Sequence, residues 1–237
     1  MIRRLFPWLA LLLVLSGRHA LAEPQVLRIG TTDSPPLSTP DQKGMLDRML
    51  KEAFSRIGVQ VEFVTLPSER SLAMADAGEI DGDNNRVAGL QQRYPNLVQV
   101  PESNMRYEFM AFATRPGVRV NGWRDLDRLR VAHVIGWKIF DDNVTAPQVT
   151  RVGTARQLFS FLDAGRADVV LFDRIGGRYF LRTLGVGKAY AVEPPLAKRD
   201  MFLYLNARHA ALIPALSRSL QAMKADGSHA RFFRTSE

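Results

Sequence analysis

The chain has 237 residues, no cysteine and a formal net charge of +8. The absence of cysteine excludes disulfide bonds, thiol catalysis, thiolate metal sites and a lipid-modified cysteine. The basic residues are scattered and are not interleaved with aromatic side chains, so we expect no nucleic-acid partner.

The first 22 residues are typical of a secretory signal peptide. Arg3 and Arg4 precede an apolar run over residues 5–15, and Ala20-Leu21-Ala22 forms an A-x-A cleavage site. The apolar run is too short to span a bilayer. Cleavage would remove three arginines and lower the formal net charge from +8 to +5. We therefore expect a soluble periplasmic protein without a lipid anchor, and a retained N-terminal anchor is the alternative.

Hydrophobic periodicity in the first part of the mature chain predicts alternating strands and helices. The predicted strands cover residues 26–31, 59–64 and 80–84, and the predicted helices cover 45–57 and 68–77, the second of them capped by Ser68. This β-α-β-α-β order is typical of an open, mainly parallel sheet.

The same order returns after an apolar strand over residues 107–114. The second unit has predicted strands over 129–135, 149–152 and 167–172, with helices opening at 136–138 and at 154. A strand over 201–206 and a helix over 209–226 follow, and the length of that helix suits packing on the first unit. Two such units predict two lobes.

A polar turn after the third predicted strand contains two arginines. Small ligands bind at such strand ends in open α/β sheets, and a guanidinium forms paired hydrogen bonds with a carboxylate or phosphate. Arg86 lies nearer the strand end than Arg93, and a solvated surface arginine is the alternative for each. Asn84 is placed like Arg86. Arg70, at the start of the preceding helix, either points into the ligand site or is a solvated charge.

Gly136 and Trp137 open the first helix of the second unit. A glycine lets the backbone approach a ligand at a helix N-terminus, where free N–H groups and the helix dipole favour an anion. Trp137 would provide a stacking surface for the ligand, and packing between the lobes is the alternative. For Tyr107, core packing is favoured over lining the ligand site.

The order and spacing of these motifs resemble those of periplasmic solute-binding proteins of the polar amino-acid family, the type II proteins of solute-binding family 3. RIGTTDSPPLS resembles the family's strand and D-x-x-Y-P-P-F turn, GEIDGDNN its G-x-x-D strand, VAHVIGWKI its V-G-V-x-x-G-S-T, GRADVVLFD its G-x-x-D-A-V-x-x-D and MKADGSHARFF its closing helix. The resemblance covers residues 25–235. It implies an α/β protein of two lobes, each an open, mostly parallel sheet flanked by helices, with the ligand cleft between them.

The resemblance also implies roles for single residues. Arg93 lies twelve residues after Asp81, the spacing at which the family carries its carboxylate-binding arginine. Asp173 ends a strand where the family places the carboxylate that receives an α-amino group, and a helix N-cap is the alternative. Asp33 shares that role or forms an ordinary Asx-turn. Trp137-Lys138 stands where the family has Ser-Thr, and the ligand therefore stays open.

The implied function is capture of a small polar solute, an amino acid or related carboxylate, for an ABC importer whose inner-membrane permease is the partner. The predicted boundaries are 1–22 for the signal peptide, 23–113 plus 199–237 for lobe 1 and 114–198 for lobe 2. We expect a monomer with no catalytic residue, no metal site and no cofactor. The alternatives are an enzyme on the same scaffold, such as a periplasmic cyclohexadienyl dehydratase, and a ligand-sensing module for a membrane partner.

Overall fold

The structure is a computed structural model that describes residues 26–234. The predicted signal peptide and its cleavage site lie outside the described residues, so export stays a prediction. Within residues 26–234, no helix has both the length and the apolar composition to cross a membrane.

The first half of the fold is built from three strands and two helices, as predicted. They are β1 (Val26–Thr31), α1 (Met45–Ser55), β2 (Gln60–Thr65), α2 (Ser68–Ala77) and β3 (Gly82–Arg86). β1 lies in the middle and pairs in parallel with β2 and with β3. Gly78 ends α2 with a φ of 77°, a conformation that glycine adopts without strain.

The middle and second half follow the predicted order with two additions. The elements are β4 (Leu97–Gln99), β5 (Met105–Ala113), β6 (Val131–Val134), α3 (Lys138–Asn143), β7 (Val149–Val152), α4 (Ala155–Asp163), β8 (Val169–Asp173) and α5 (Arg174–Thr183). β6 pairs in parallel with β7 and β8. The short strand β4 and the helix α5 were not among the predicted elements.

The chain ends with one long strand and two helices. These are β9 (Tyr190–Asn206), α6 (Ile213–Ala225) and α7 (Ser228–Phe232). A 3-10 helix over 207–212 precedes α6, so the α-helix begins later than the predicted position 209. β9 also begins well before the predicted strand over 201–206, because its first part pairs with β5.

The strand order is β2-β1-β3-β9-β5-β8-β6-β7, and β4 pairs with β9. The two parallel units are joined by the antiparallel strands β5 and β9. The partner of β9 changes from β5 to β3 between Met201 and Phe202. β5 pairs with β8 over residues 109–112. The predicted lobe boundaries themselves stay a prediction.

Helix α6 packs against α1, which attaches the end of the chain to the first half. The inward side chains of α6, Leu216, Leu220 and Met223, are fully buried. The hydroxyl of Ser219 donates to the carbonyl oxygen of Ala53 at 2.8 Å. Each buried leucine contributes about 1.5–3 kcal/mol to folding, so this contact holds the first half together.

Candidate functional site

A cavity of about 130 Å³ lies between the two halves of the sheet. The first half contributes the loop after β1, the start of α2 and the end of β3, and the second half contributes the loop from β6 to α3. The carboxyl ends of β1, β3 and β6 all open towards it. This is the edge of a parallel sheet at which small ligands bind.

Four of the predicted site residues line this cavity, namely Asn84, Arg86, Gly136 and Trp137. The other four, Asp33, Arg70, Arg93 and Asp173, do not line it. The structure therefore brings together residues from both predicted turns, but only part of the predicted set.

The guanidinium of Arg86 is held by two neighbours in the first half. Its Nε donates to Oδ1 of Asp83 at 2.5 Å, and its Nη2 donates to Oδ2 of Asp83 at 3.0 Å. Its Nη1 donates to the hydroxyl of Ser68 at 2.6 Å, and Nη2 also donates to the Ser68 carbonyl at 3.2 Å. Burial works to lower the pKa of Arg86, but the carboxylate of Asp83 outweighs it and raises that pKa. Arg86 is therefore charged and already paired.

The prediction that Ser68 caps helix α2 is wrong. Pro67 occupies the N-cap position and Ser68 is the first helical residue. The hydroxyl of Ser68 accepts a hydrogen bond from Arg86, and no side-chain hydrogen bond caps the start of the helix. The start of α2 is thus fixed to the end of β3 by a side-chain contact.

Arg93 and Arg70 both lie outside the cavity. The Arg93 side chain is 64% exposed, with its guanidinium 3.4 Å from the carboxylate of Glu69 and over the ring of Tyr94. Arg70 is exposed on α2, and Asp33 is exposed in the turn after β1. Of the two arginines that the sequence left as alternatives, only Arg86 lines the cavity.

Asp173 is the N-cap of helix α5, which was the alternative role for this residue. Its Oδ1 accepts from the backbone N–H of Gly176 at 2.8 Å. Its Oδ2 is buried and has no hydrogen-bond partner in the part of the chain that the structure describes. Burial raises the pKa of Asp173 to about 6. Burial, and then the charge of Asp173, also raise the pKa of Tyr107.

Trp137 lies at the cavity and also packs against aromatic side chains of its own half of the fold. It lines the cavity, and its ring stacks on Phe172 at 4.5 Å and on Phe140 at 5.5 Å between centroids. Gly136 before it has a φ of 86°, a backbone angle that residues other than glycine rarely adopt. A Cβ on Gly136 would lie 3.5 Å from the Cβ of Ser68, so the loop of the second half closely approaches α2 of the first.

Several lining residues were not predicted as ligand contacts. Asn85 has a φ of 60°, and its Nδ2 donates to the hydroxyl of Tyr107 at 2.7 Å. Within residues 26–234, Oδ1 of Asn85 and Oγ1 of Thr31 are buried and have no hydrogen-bond partner. The paired asparagines at the end of a strand were the available signal, since asparagine tolerates the left-handed conformation.

One ion pair crosses the cavity. The ammonium of Lys138, the first residue of α3, lies 3.1 Å from the carboxylate of Glu69 in the first turn of α2. Both residues line the cavity. Over the described range, no group of three or more His, Asp or Glu residues could hold a metal ion.

No family model matches the chain. A curated protein of Shewanella oneidensis, described as uncharacterized, is 20% identical over 187 residues, which are 76% of this chain and 71% of the relative. Matches to solved structures cover more of the chain. A histidine kinase sensor domain with similarity to periplasmic binding proteins has a TM-score of 0.72 at 18% identity, covering 89% of this chain and 94% of its own.

Two reconstructed proteins give similar values. An ancestral arginine-binding protein bound to glutamine has a TM-score of 0.73 at 16% identity, covering 88% of this chain and 96% of its own. An ancestral amino acid-binding protein, a precursor of cyclohexadienyl dehydratase, has a TM-score of 0.72 at 18% identity, covering 88% of this chain and 93% of its own. The chain has a periplasmic-binding-protein-like fold. The resemblance of the motifs implied this fold. At these identities the likeness shows the fold alone.

Proposed function

We propose that the protein binds a small solute of the amino-acid class in the cavity between its two halves. The observation that carries this proposal is the composition of the cavity wall. Residues of the first half, such as Asn84 and Arg86, face Gly136, Trp137 and Lys138 of the second half. A solute in this position contacts both halves at once.

Binding of this kind favours closure of the two halves. A ligand shifts a conformational equilibrium by the difference between its affinities for the two states. A solute between α2 and α3 makes its full set of contacts only when the two helices are close. We propose hinge closure around the solute as the conformational response.

We propose that the closed form acts in the periplasm as the substrate-binding protein of an ABC importer and delivers its solute to an inner-membrane permease. The motif resemblance and the fold both support this role. A sensing role is the second possibility, since a histidine kinase sensor domain has a similar fold. Co-purification with a permease or with a sensor protein distinguishes the two, because solute capture is common to both.

An enzyme on the same scaffold needs a general acid that reaches the substrate. Asp33 is exposed outside the cavity, and Asp83 is paired with Arg86. Asp173 has a raised pKa but does not line the cavity. The geometry supports binding better than dehydration. Incubation with prephenate or arogenate tests the alternative, because an aromatic product would establish the enzyme.

Thermal denaturation against a panel of amino acids and organic acids tests the proposal. A solute that binds the folded state raises the Tm, and above Kd the shift grows with the logarithm of the solute concentration. Replacement of Leu90, which lines the cavity, by the larger Trp should abolish the shift. Arg218→Ala on the exposed side of α6 should preserve it. A panel with no stabilising solute would refute the proposal.

A further inference from the structure

We propose that the cavity selects a net-neutral solute over a carboxylate anion, and that Oδ1 of Asn85 accepts a hydrogen bond from that solute. The inference rests on the proposed function, in which this cavity binds a solute. It narrows the solute to zwitterions and uncharged amides with an apolar body. Arg86 becomes a positioning residue instead of a free anion receptor.

Each charged side chain that lines the cavity already has an oppositely charged partner. Within residues 26–234, the charged side chains lining it are Arg86, Lys138 and Glu69. Lys138 pairs with Glu69, and Arg86 pairs with Asp83, whose side chain is fully buried behind it. Arg93 also approaches Glu69, but from the solvent side. A solute with net charge would therefore enter a partly desolvated space without an unpaired counter-charge.

Arg86 has little remaining capacity for an anion. A guanidinium has five N–H donors, and four hydrogen bonds to Asp83 and Ser68 are already formed. A carboxylate could form the usual paired contact only by displacing one of these partners. Displacing Asp83 would leave a buried carboxylate with a hydrogen bond from Ser71 but no counter-ion, and a buried unpaired charge is strongly unfavourable.

Among the described residues, two that line the cavity carry a buried oxygen without a hydrogen-bond partner. Thr31 is 1% exposed with Oγ1 unpartnered, and Oδ1 of Asn85 is likewise buried without a partner among the described residues. Nδ2 of Asn85 donates to the hydroxyl of Tyr107, which leaves Oδ1 as the atom of this amide without a partner among the described residues. A solute N–H satisfies this acceptor. A carboxylate has only acceptors and would face Oδ1 with like partial charge.

Aliphatic and aromatic side chains form much of the remaining wall. They include Leu37, Leu46, Leu72, Phe109, Trp137 and Met201. The solute therefore has an apolar body in addition to its hydrogen-bond donors, since a fully polar solute would lose hydration against these side chains.

Isosteric pairs of probes test the inference. We would measure Kd by calorimetry at pH 7 for 4-methylpentanamide against 4-methylpentanoate and for 3-phenylpropanamide against 3-phenylpropanoate, with leucine and phenylalanine as the zwitterions. The amide and the zwitterion should bind at least tenfold more tightly than the carboxylate of the same skeleton. Equal or tighter binding of the carboxylates would overturn the inference while leaving the proposed function intact. If no probe of either skeleton binds, the proposed function fails for this solute class and the inference fails with it.

Two variants separate specificity from folding. Asn85→Gly keeps the positive φ without strain and removes the acceptor, so the affinity for the amide should fall about tenfold while that for the carboxylate is unchanged. Asp83→Asn frees donors of Arg86, so the affinity for the carboxylate should rise at least tenfold. The preference for the amide should then disappear. Urea unfolding of each variant reports whether it is folded. If Asp83→Asn does not fold, Asn85→Gly alone tests the inference. An unchanged ratio of amide affinity to carboxylate affinity in that variant would overturn it.

Discussion

The ammonium of Lys138 lies 3.1 Å from the carboxylate of Glu69 and joins α3 to α2 across the cavity. The two side chains are 48% and 41% exposed, so the pair contributes at most about 1 kcal/mol to folding. An energy of that size is sufficient to change the populations of open and closed arrangements. We therefore expect the pair to bias the proposed closure while adding little to stability.

Reversing the charge at this pair should favour the open arrangement. In Lys138→Glu, the new carboxylate faces Glu69, and repulsion should increase the radius of gyration in small-angle X-ray scattering. Solute affinity should fall several-fold, as a change of about 1 kcal/mol implies. The double variant Lys138→Glu with Glu69→Lys should restore both values. An unchanged radius of gyration in the single variant would exclude a role in closure.

Breaking the pair of Asp83 and Arg86 should destabilise the protein strongly. Arg86→Met leaves the carboxylate of Asp83 buried without its counter-ion, at a cost of about 3–5 kcal/mol. Urea unfolding measures this loss. The double variant Asp83→Asn with Arg86→Met should be more stable than Arg86→Met alone, because it removes both buried charges.

A surface pair provides the control for that measurement. Arg106 and Asp200 form an ion pair whose side chains are 64% and 42% exposed. Arg106→Met should change the free energy of unfolding by less than about 1 kcal/mol. If Arg86→Met and Arg106→Met lowered the free energy of unfolding by similar amounts, Asp83 and Arg86 would not be a buried, mutually dependent pair.

Ionisation of Asp173 should lower the free energy of unfolding as the pH rises. Its pKa in the folded state is about 6, above the value of 3.8 expected in the unfolded chain. The folded state therefore binds the proton more tightly, and its stabilising contribution is complete below pH 4 and lost as the pH rises through 6. A shift of this size corresponds to on the order of 3 kcal/mol.

Asp173→Asn isolates that contribution, because asparagine is an equally good N-cap and does not titrate. The free energy of unfolding of the variant, relative to the wild-type protein, should increase between pH 4 and pH 7. Asp200→Asn should show the opposite sign, and mainly below pH 4, since Arg106 lowers the pKa of Asp200 below its ordinary value of 3.8. A pH-independent difference for Asp173→Asn would show that the carboxyl group is solvated in the folded protein.

Trp137 should report solute binding by fluorescence. Its ring lines the cavity and stacks on Phe172, so a bound solute changes its surroundings directly. Trp137→Phe keeps an aromatic ring at this position and should abolish the change in emission on adding the stabilising solute. Trp123 does not line the cavity, and Trp123→Phe should retain the change. Loss of the signal in Trp123→Phe instead would place the solute elsewhere.

The order of the elements could be predicted because its signals are local. Strand β1 and helix α2 have the predicted bounds, and the pattern over 149–152 matches β7. Alternation and helical spacing are properties of a few consecutive residues. The prediction was less accurate where distant segments decide the element. β9 is much longer than its apolar end because β5 pairs with its first part.

The candidate site was predicted in part, for a related reason. The strand-end rule indicated Asn84 and Arg86, and the glycine rule indicated Gly136. All three line the cavity, because each rule depends on chain position. Motif spacing indicated Arg93, but this residue lies on the surface beside Glu69. Spacing along the chain does not specify the direction in which a side chain points after the turn.

The sequence by itself determined two β-α-β-α-β units and the strand ends at which ligand-binding residues would collect, since periodicity and helix stops are encoded by neighbouring residues. Only the tertiary structure decided that Asp83 neutralises Arg86, that Asp173 caps a helix and that Lys138 meets Glu69. These outcomes depend on burial and on pairing between side chains that folding brings together. The chemistry of the cavity is therefore a property of the folded chain, whereas its location is already encoded in the order of the elements.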